Sequence, residues 1–183
     1  MSGPDPGRQE SDVSLVERWQ AGDERAATAL VERHAPALAR FAVSLGVREQ
    51  VEEIVQDTFV RAFGSLKQFR GESALRTWLC TILRRLVLDR RRARSRRPVA
   101  VPIDEADAIT EFDALDAVVA DEAERRLAEA IERLSPMQRE VFTLRVSEGM
   151  SYREIAVAAA TTEGAARVHY HNAMRAVKEF LNG

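Results

Sequence analysis

Between Arg84 and Arg97 the chain carries eight arginines and a single acid, Asp89. Guanidinium groups are permanently charged, planar and fork-shaped, so this density suits a polyanion, with nucleic acid first and an anionic membrane surface second. The alternative is a solvated helix face in a chain that favours arginine everywhere, since Lys67 and Lys178 are its only lysines. A second set lies near the C-terminus: Arg153, Arg167, Val168, His171, Asn172 and Arg175. Arg167 and Asn172 can read base edges or phosphates, Arg153 and Arg175 can bond phosphate, and Gly164 and Ala165 leave room for close approach. An ordinary helical hairpin with surface charges is the alternative. No other grouping offers chemistry. His169 and His171 sit about 200° apart on a helix and cannot chelate one metal on one face. Phosphate-cradling glycine loops, nucleophile–base arrangements and paired catalytic carboxylates do not stand out. The expectation is no enzyme activity, no small-molecule substrate, no cofactor and no metal.

The elements that must position these residues are helices. A length of 183 residues with 45% hydrophobic and 31% charged content allows one domain or two small ones. The longest apolar run, Ile155 to Ala160, is far short of the ~20 residues that span a bilayer. Met1 to Ser11 carries no apolar stretch, and Cys80 is the only cysteine, so no secretory signal and a cytoplasmic, reducing setting are expected. The net charge of −2 hides a partition. Residues 12–97 hold 17 basic and 11 acidic groups, residues 98–122 hold eight acids and no base, and residues 123–183 hold nine basic and eight acidic groups. Two helix-patterned regions thus flank an acidic connector, where a mobile linker is the default and short helical turns around Phe112 to Val119 are an option.

Leu15, Val16 and Trp19 read as one helix ended by Gly22; Asp23 caps the next, and Gly46 ends a third. Val51, Ile54, Val55, Thr58, Phe59, Ala62 and Phe63 follow the spacing of an amphipathic helix, with Glu52, Glu53, Gln56, Asp57 and Arg61 outside. Gly64 to Ser73 breaks the pattern. Ser73 can cap a helix through Thr77, Trp78, Leu79, Ile82, Leu83, Leu86 and Val87, whose buried start leads into the arginine cluster. Ala123, Leu127, Ala130, Ile131 and Leu134 line a further face. Ser135 to Gln138 and Ser151 to Glu154 read as capping boxes, with Met150 and Ile155 placed as a hydrophobic staple. A short helix to about Ala159, a break at Ala160 to Thr162, and a longer helix with Ala166, Tyr170, Ala173 and Val177 inside have helix-turn-helix spacing. No segment alternates as a strand does. The fold class expected is all-α, two small helical domains joined by the acidic linker.

Val51 to Phe63, Phe69-Arg70-Gly71 and Thr77-Trp78-Leu79 with Ile82, Asp89 and Arg92 resemble the second region of bacterial extracytoplasmic-function sigma factors of the sigma-70 family. Leu134 to Phe142 and Glu148 to Ala156 resemble the fourth. The resemblance covers about residues 12–97 and 123–182 and implies a promoter-specificity subunit of RNA polymerase. It implies domains at 12–97 (region 2), 98–122 (linker) and 123–183 (region 4). Glu53, Gln56, Asp57 and Arg61 would dock on the polymerase β′ clamp, and region 4 would meet the β flap. Lys67, Phe69, Arg70, Arg84, Arg85, Arg90 and Arg92 would hold the melted −10 strand. Arg153, Arg167, Val168, His171, Asn172 and Arg175 would bind the −35 duplex. The linker would thread toward the RNA path, as a nucleic-acid mimic or as a plain tether. Partners implied are core polymerase, promoter DNA and an anti-sigma factor, without membrane insertion. Departures are Arg85, where many members have Asn; His169 and Asn172, at usually cationic positions; and Ala160, in place of a turn glycine. A stand-alone helix-turn-helix regulator is the alternative, and a helical interaction protein a third reading. The strand-holding reading requires that Arg84 to Arg92 be neither packed inward nor covered by the other lobe.

Overall fold

The computed structural model describes residues 10–66, 69, 71, 73–96 and 122–183. Lys67, Arg70 and the linker up to residue 121, including the turns considered around Phe112 to Val119, lie outside the described residues. Eight helices and no strand occur among the described residues: α1 (Asp12–Gln20), α2 (Glu24–Ser44), α3 (Val51–Ser65), α4 (Leu75–Arg96), α5 (Glu122–Glu132), α6 (Pro136–Val146), α7 (Tyr152–Ala158) and α8 (Glu163–Asn182).

The punctuation seen in the sequence has physical counterparts. Asp23 accepts from the Arg25 N–H at the start of α2, and both Ser135 and Ser151 form reciprocal capping boxes, with Gln138 and Glu154. Each such cap satisfies donors that the helix start leaves orphaned and is worth about 1 kcal/mol. Gly22, Gly46 and Gly149 adopt φ values of 95°, 81° and 62° after α1, α2 and α6. Ala160, the residue standing in place of a turn glycine, also takes a left-handed φ, 49°. One expectation is corrected. Between Asp23 and Gly46 runs a single helix, Glu24–Ser44, rather than two. Pro36 sits on its exposed side beside exposed Glu32, while Leu30, His34, Ala37, Leu38 and Phe41 continue one buried stripe through it. Burial of that stripe outweighs one lost helix hydrogen bond.

Helices α1 to α4 form one lobe. Ile54, Val55, Phe59 and Ala62 of α3 pack with Leu79, Leu83, Leu86 and Val87 of α4 and Leu38 and Phe41 of α2. Trp19 stacks on Phe63 with ring centroids 5.2 Å apart and is half-buried, as is Trp78. In the second lobe, Ala130 and Leu134 of α5, Phe142 of α6 and Ala173 and Val177 of α8 form a small core. Ala123 and Leu127, expected on that face, lie in the outer turns of α5 and stay exposed. Val141, Leu144, Met150, Ile155, Ala158, Ala159 and Ala166 of the second lobe belong to the same buried cluster as the first lobe's core. The two lobes therefore share apolar packing, with α2 against α6 and α4 against α7.

Candidate nucleic-acid interface

Helix α4 begins in the core and ends outside it. Leu75, Thr77, Leu79, Cys80, Leu83, Leu86 and Val87 are buried, whereas Arg91 to Arg96 are exposed throughout. The core thus holds the first turns rigid and lets the last project. The individual arginines differ. Arg85 and Arg92 are exposed, as the strand-holding reading requires. Arg90 donates to Glu53 at 2.8 Å and to Asp57 at 2.6 Å, both on α3. Arg91 donates to the Leu45 carbonyl beyond α2, and a side chain at Gly46 would run into its guanidinium. Arg84 does not meet the requirement in this arrangement. Its side chain is 18% exposed and its Nε lies 2.6 Å from Glu140 Oε1 of the second lobe.

Beside the buried start of α4, Phe69 packs on Trp78 with centroids 5.2 Å apart, at a tilt of 46°. Gly71, two residues on, takes a left-handed φ of 70°, which marks the turn of this loop. The outer face of α3 presents Glu53, Gln56 and Arg61 exposed and Asp57 half-exposed.

In the second lobe, α7, the turn at Ala160 and α8 form a helix-turn-helix. Thr162 caps α8 by accepting from the Ala165 N–H. Ala166, Ala173 and Val177 seat α8 on the lobe, which leaves Arg167, Val168, His171 and Arg175 exposed and Asn172 half-exposed. Arg153 is exposed on α7. Tyr152 carries two guanidinium groups, Arg145 at 4.9 Å and Arg167 at 5.2 Å from its ring centroid. Arg167 is therefore partly ordered on the face where α8 starts. His171 and Arg175 also line a shallow groove with Met174, Lys178, Glu179 and Asn182. Among the described residues no group of His, Cys, Asp and Glu could hold a metal ion, and no helix is long and apolar enough to cross a membrane.

Residues missed at the sequence level are those that join the lobes. Glu148, its side chain 3% exposed, meets Arg40 at 2.8 Å and Arg76 at 3.9 Å. The Thr77 hydroxyl lies 3.4 Å from Glu154, and Arg48 meets Glu132 at 3.0 Å. Burial pushes the Glu140 carboxyl up from its ordinary value of 4.5, against the pull of Arg84. Burial, with Glu148 and Glu140 nearby, pushes the Cys80 thiol up to about 12. A signal for Arg84 and Glu140 existed. Arg84 falls on the stripe Thr77–Cys80–Val87 of α4, and Glu140 precedes Val141 and Leu144, so two opposite charges occupy buried-face positions.

An exposed cationic helix end on one lobe and a helix-turn-helix on the other define a two-module DNA-binding protein. The comparisons give the class its name. Residues 30–97 match Sigma-70 region 2 and residues 124–177 match Sigma-70, region 4. The ECF RNA polymerase sigma-E factor of Haemophilus influenzae is 33% identical over 157 aligned positions, covering 81% of this chain and 83% of that one. The RNA polymerase sigma-H factor of Pseudomonas aeruginosa is 31% identical over 183 positions, covering 94% and 95%. Among solved structures, CnrH in complex with the cytosolic domain of CnrY matches with a TM-score of 0.67 at 28% identity, over 94% of this chain and 98% of that one. The sigma factor RpoE in complex with the anti-sigma factor NepR from Bartonella quintana matches with a TM-score of 0.64 at 27% identity, over 85% and 96%. The chain belongs to the extracytoplasmic-function group of the sigma-70 family. It is a sigma factor, a transcription initiation factor that works with RNA polymerase at promoter DNA.

Proposed function

We propose that the chain divides its work at 12–97, 98–122 and 123–183, with the outer face of α3 docking on the β′ clamp through Glu53, Gln56, Asp57 and Arg61. The observation that carries the reading is α4 itself, which exposes Arg85 and Arg92 toward its far end and packs Trp78 on the half-buried Phe69 at its start. Guanidinium groups track phosphates while an aromatic beside a loop receives an unstacked base, so the melted −10 strand is held open without nucleotide hydrolysis. Capture of the base offsets the few kcal/mol lost in unstacking it. Lys67, Arg70 and Arg90 complete this set, and Arg84 joins it only once its pair with Glu140 is broken.

Region 4 presents Arg153, Arg167, Val168, His171, Asn172 and Arg175 to the −35 duplex, and its first helices meet the β flap. No covalent chemistry is assigned to the chain itself, and it acts in the cytoplasm, where polymerase is. An anti-sigma factor is a further partner, supported by solved relatives whose structures hold one. The test is reconstitution with core polymerase on promoter DNA. Arg85→Ala with Arg92→Ala lowers open complex while core binding persists, and Asp57→Lys lowers core binding first. Equal activity of all these variants and the parent chain overturns the reading.

A further inference from the structure

Among the described residues, four ion pairs between the lobes share one polarity. Arg40, Arg48, Arg76 and Arg84 come from the first lobe; Glu132, Glu140 and Glu148 come from the second. Two of the carboxylates, Glu140 at 5% and Glu148 at 3% side-chain exposure, are almost fully enclosed. Around them lies the apolar surface of Leu79, Leu83, Val141, Leu144 and Ile155. Enclosed pairs of this kind direct which surfaces meet more than they add net stability, because desolvation consumes much of the attraction. What they do impose is a requirement for opposite charge at each position.

A carboxylate offers a guanidinium the same paired oxygen acceptors as a phosphate. Arg76 and Arg84 lie eight residues apart on α4, about 12 Å along its axis, on the helix whose exposed end carries Arg85 and Arg92. We propose that Glu140 and Glu148 occupy, on α4, the places that single-strand phosphates take when the lobes part, so that the second lobe and unpaired DNA compete for Arg76 and Arg84. The proposal rests on the reading of α4 as the strand-holding helix and adds Arg76, which that reading lacked. Linkage makes the competition reciprocal: DNA that takes these arginines opens the lobes, and whatever opens the lobes strengthens DNA binding by the same factor.

Cys80, the only cysteine, reports on opening. It is fully buried on the same stripe as Arg84, near Glu148 and Glu140. The full chain is treated with iodoacetamide, with and without a saturating mixed-sequence single-stranded oligonucleotide, and Cys80 alkylation is followed by mass spectrometry. The oligonucleotide is expected to accelerate alkylation at least tenfold. Glu140→Lys is expected to do so without DNA and to bind the oligonucleotide at least tenfold more tightly. The exchange Arg84→Glu with Glu140→Lys is expected to restore protection. Parent-like alkylation in Glu140→Lys with native helix content overturns the proposal. Should that variant not fold, no acceleration by the oligonucleotide in the parent chain overturns it equally. If Cys80 opens in Glu140→Lys while oligonucleotide affinity is unchanged, the competition is wrong and the strand-holding role of Arg85 and Arg92 still stands. That role fails separately if Arg85→Ala with Arg92→Ala leaves open-complex formation intact in the polymerase assay.

Discussion

Arg90 Nη2 lies 2.6 Å from Asp57 Oδ2, so a residue assigned to DNA and a residue assigned to polymerase are bonded to each other in the free chain. Glu53 shares the same guanidinium at 2.8 Å. On the proposed roles, docking of α3 and gripping by α4 are therefore linked through one side chain. Arg90→Ala is expected to weaken strand capture, yet to leave core-polymerase affinity unchanged or up to about fivefold tighter, because an exposed pair is worth about 0–1 kcal/mol. Fluorescence titration of the labelled variant with core polymerase measures this. A large loss of core affinity in Arg90→Ala would mean that the arginine itself touches the clamp.

Salt should separate the exposed arginines from the enclosed ones. Each phosphate contact to single-stranded DNA releases counterion, with a slope of about −0.7 per contact in log affinity against log salt. Removing Arg85 and Arg92, both exposed, should flatten the slope for strand capture by holoenzyme by about 1.4. Filter-binding across a salt series checks it. A slope unchanged by both substitutions places the strand elsewhere.

The pH response of Glu140 has a definite sign. Burial holds its carboxyl above the ordinary 4.5 in the folded chain, and Arg84 only partly offsets this. The folded state then binds the proton more tightly than the unfolded one. The contribution to stability is full below about 4.5 and is lost as pH rises through the folded-state value. Glu140→Gln, fixed in the neutral form, is expected to stay folded and to lose that dependence, so its stability relative to the parent should grow as pH rises. Urea unfolding from pH 4 to 7 measures the difference. Glu154 works in the opposite direction, since its bonds from Ser151 hold its carboxyl low; that stability is present above about 4.5 and falls away as acid protonates it.

Ala160 is the residue at the helix-turn-helix corner, with φ at 49°. A side chain in this conformation costs about 1–2 kcal/mol, and glycine removes the cost while adding freedom to the unfolded chain. Ala160→Gly is expected to stabilise by about 1 kcal/mol and to raise Tm by about 2–4 °C. Calorimetry checks the shift, and −35 duplex binding should be unchanged. A lower Tm would mean that the alanine methyl has a packing role.

Local rules carried most of the sequence reading. Two capping boxes, the left-handed glycines, the α3 stripe and the buried start of α4 were legible because each depends on residues within a turn or two of one another. The acidic face of α3 and the outward set of α8 followed from the same periodicity. Local punctuation divides Asp23 to Gly46 into two helices, and the burial of a stripe that runs on through Pro36, which keeps it one, is a tertiary effect. The cross-lobe pairs were not legible. Arg40 and Glu148 are 108 residues apart, and helical period gives the face a residue occupies, never the face it meets. Arg84 was read with its exposed neighbours, although its place on the Cys80–Val87 stripe marked it as different.

The shared core has one more consequence. Leu144, Val141 and Ile155 lie against the first lobe's apolar residues, so separating the halves bares an oily seam that water disfavours by roughly 25 cal/mol for each Å². A sigma subunit built this way does not drift apart unaided. Whatever parts the halves, unpaired strand or polymerase, has to offset the exposure of that seam, so readiness for a promoter is set by the partner and not by thermal chance.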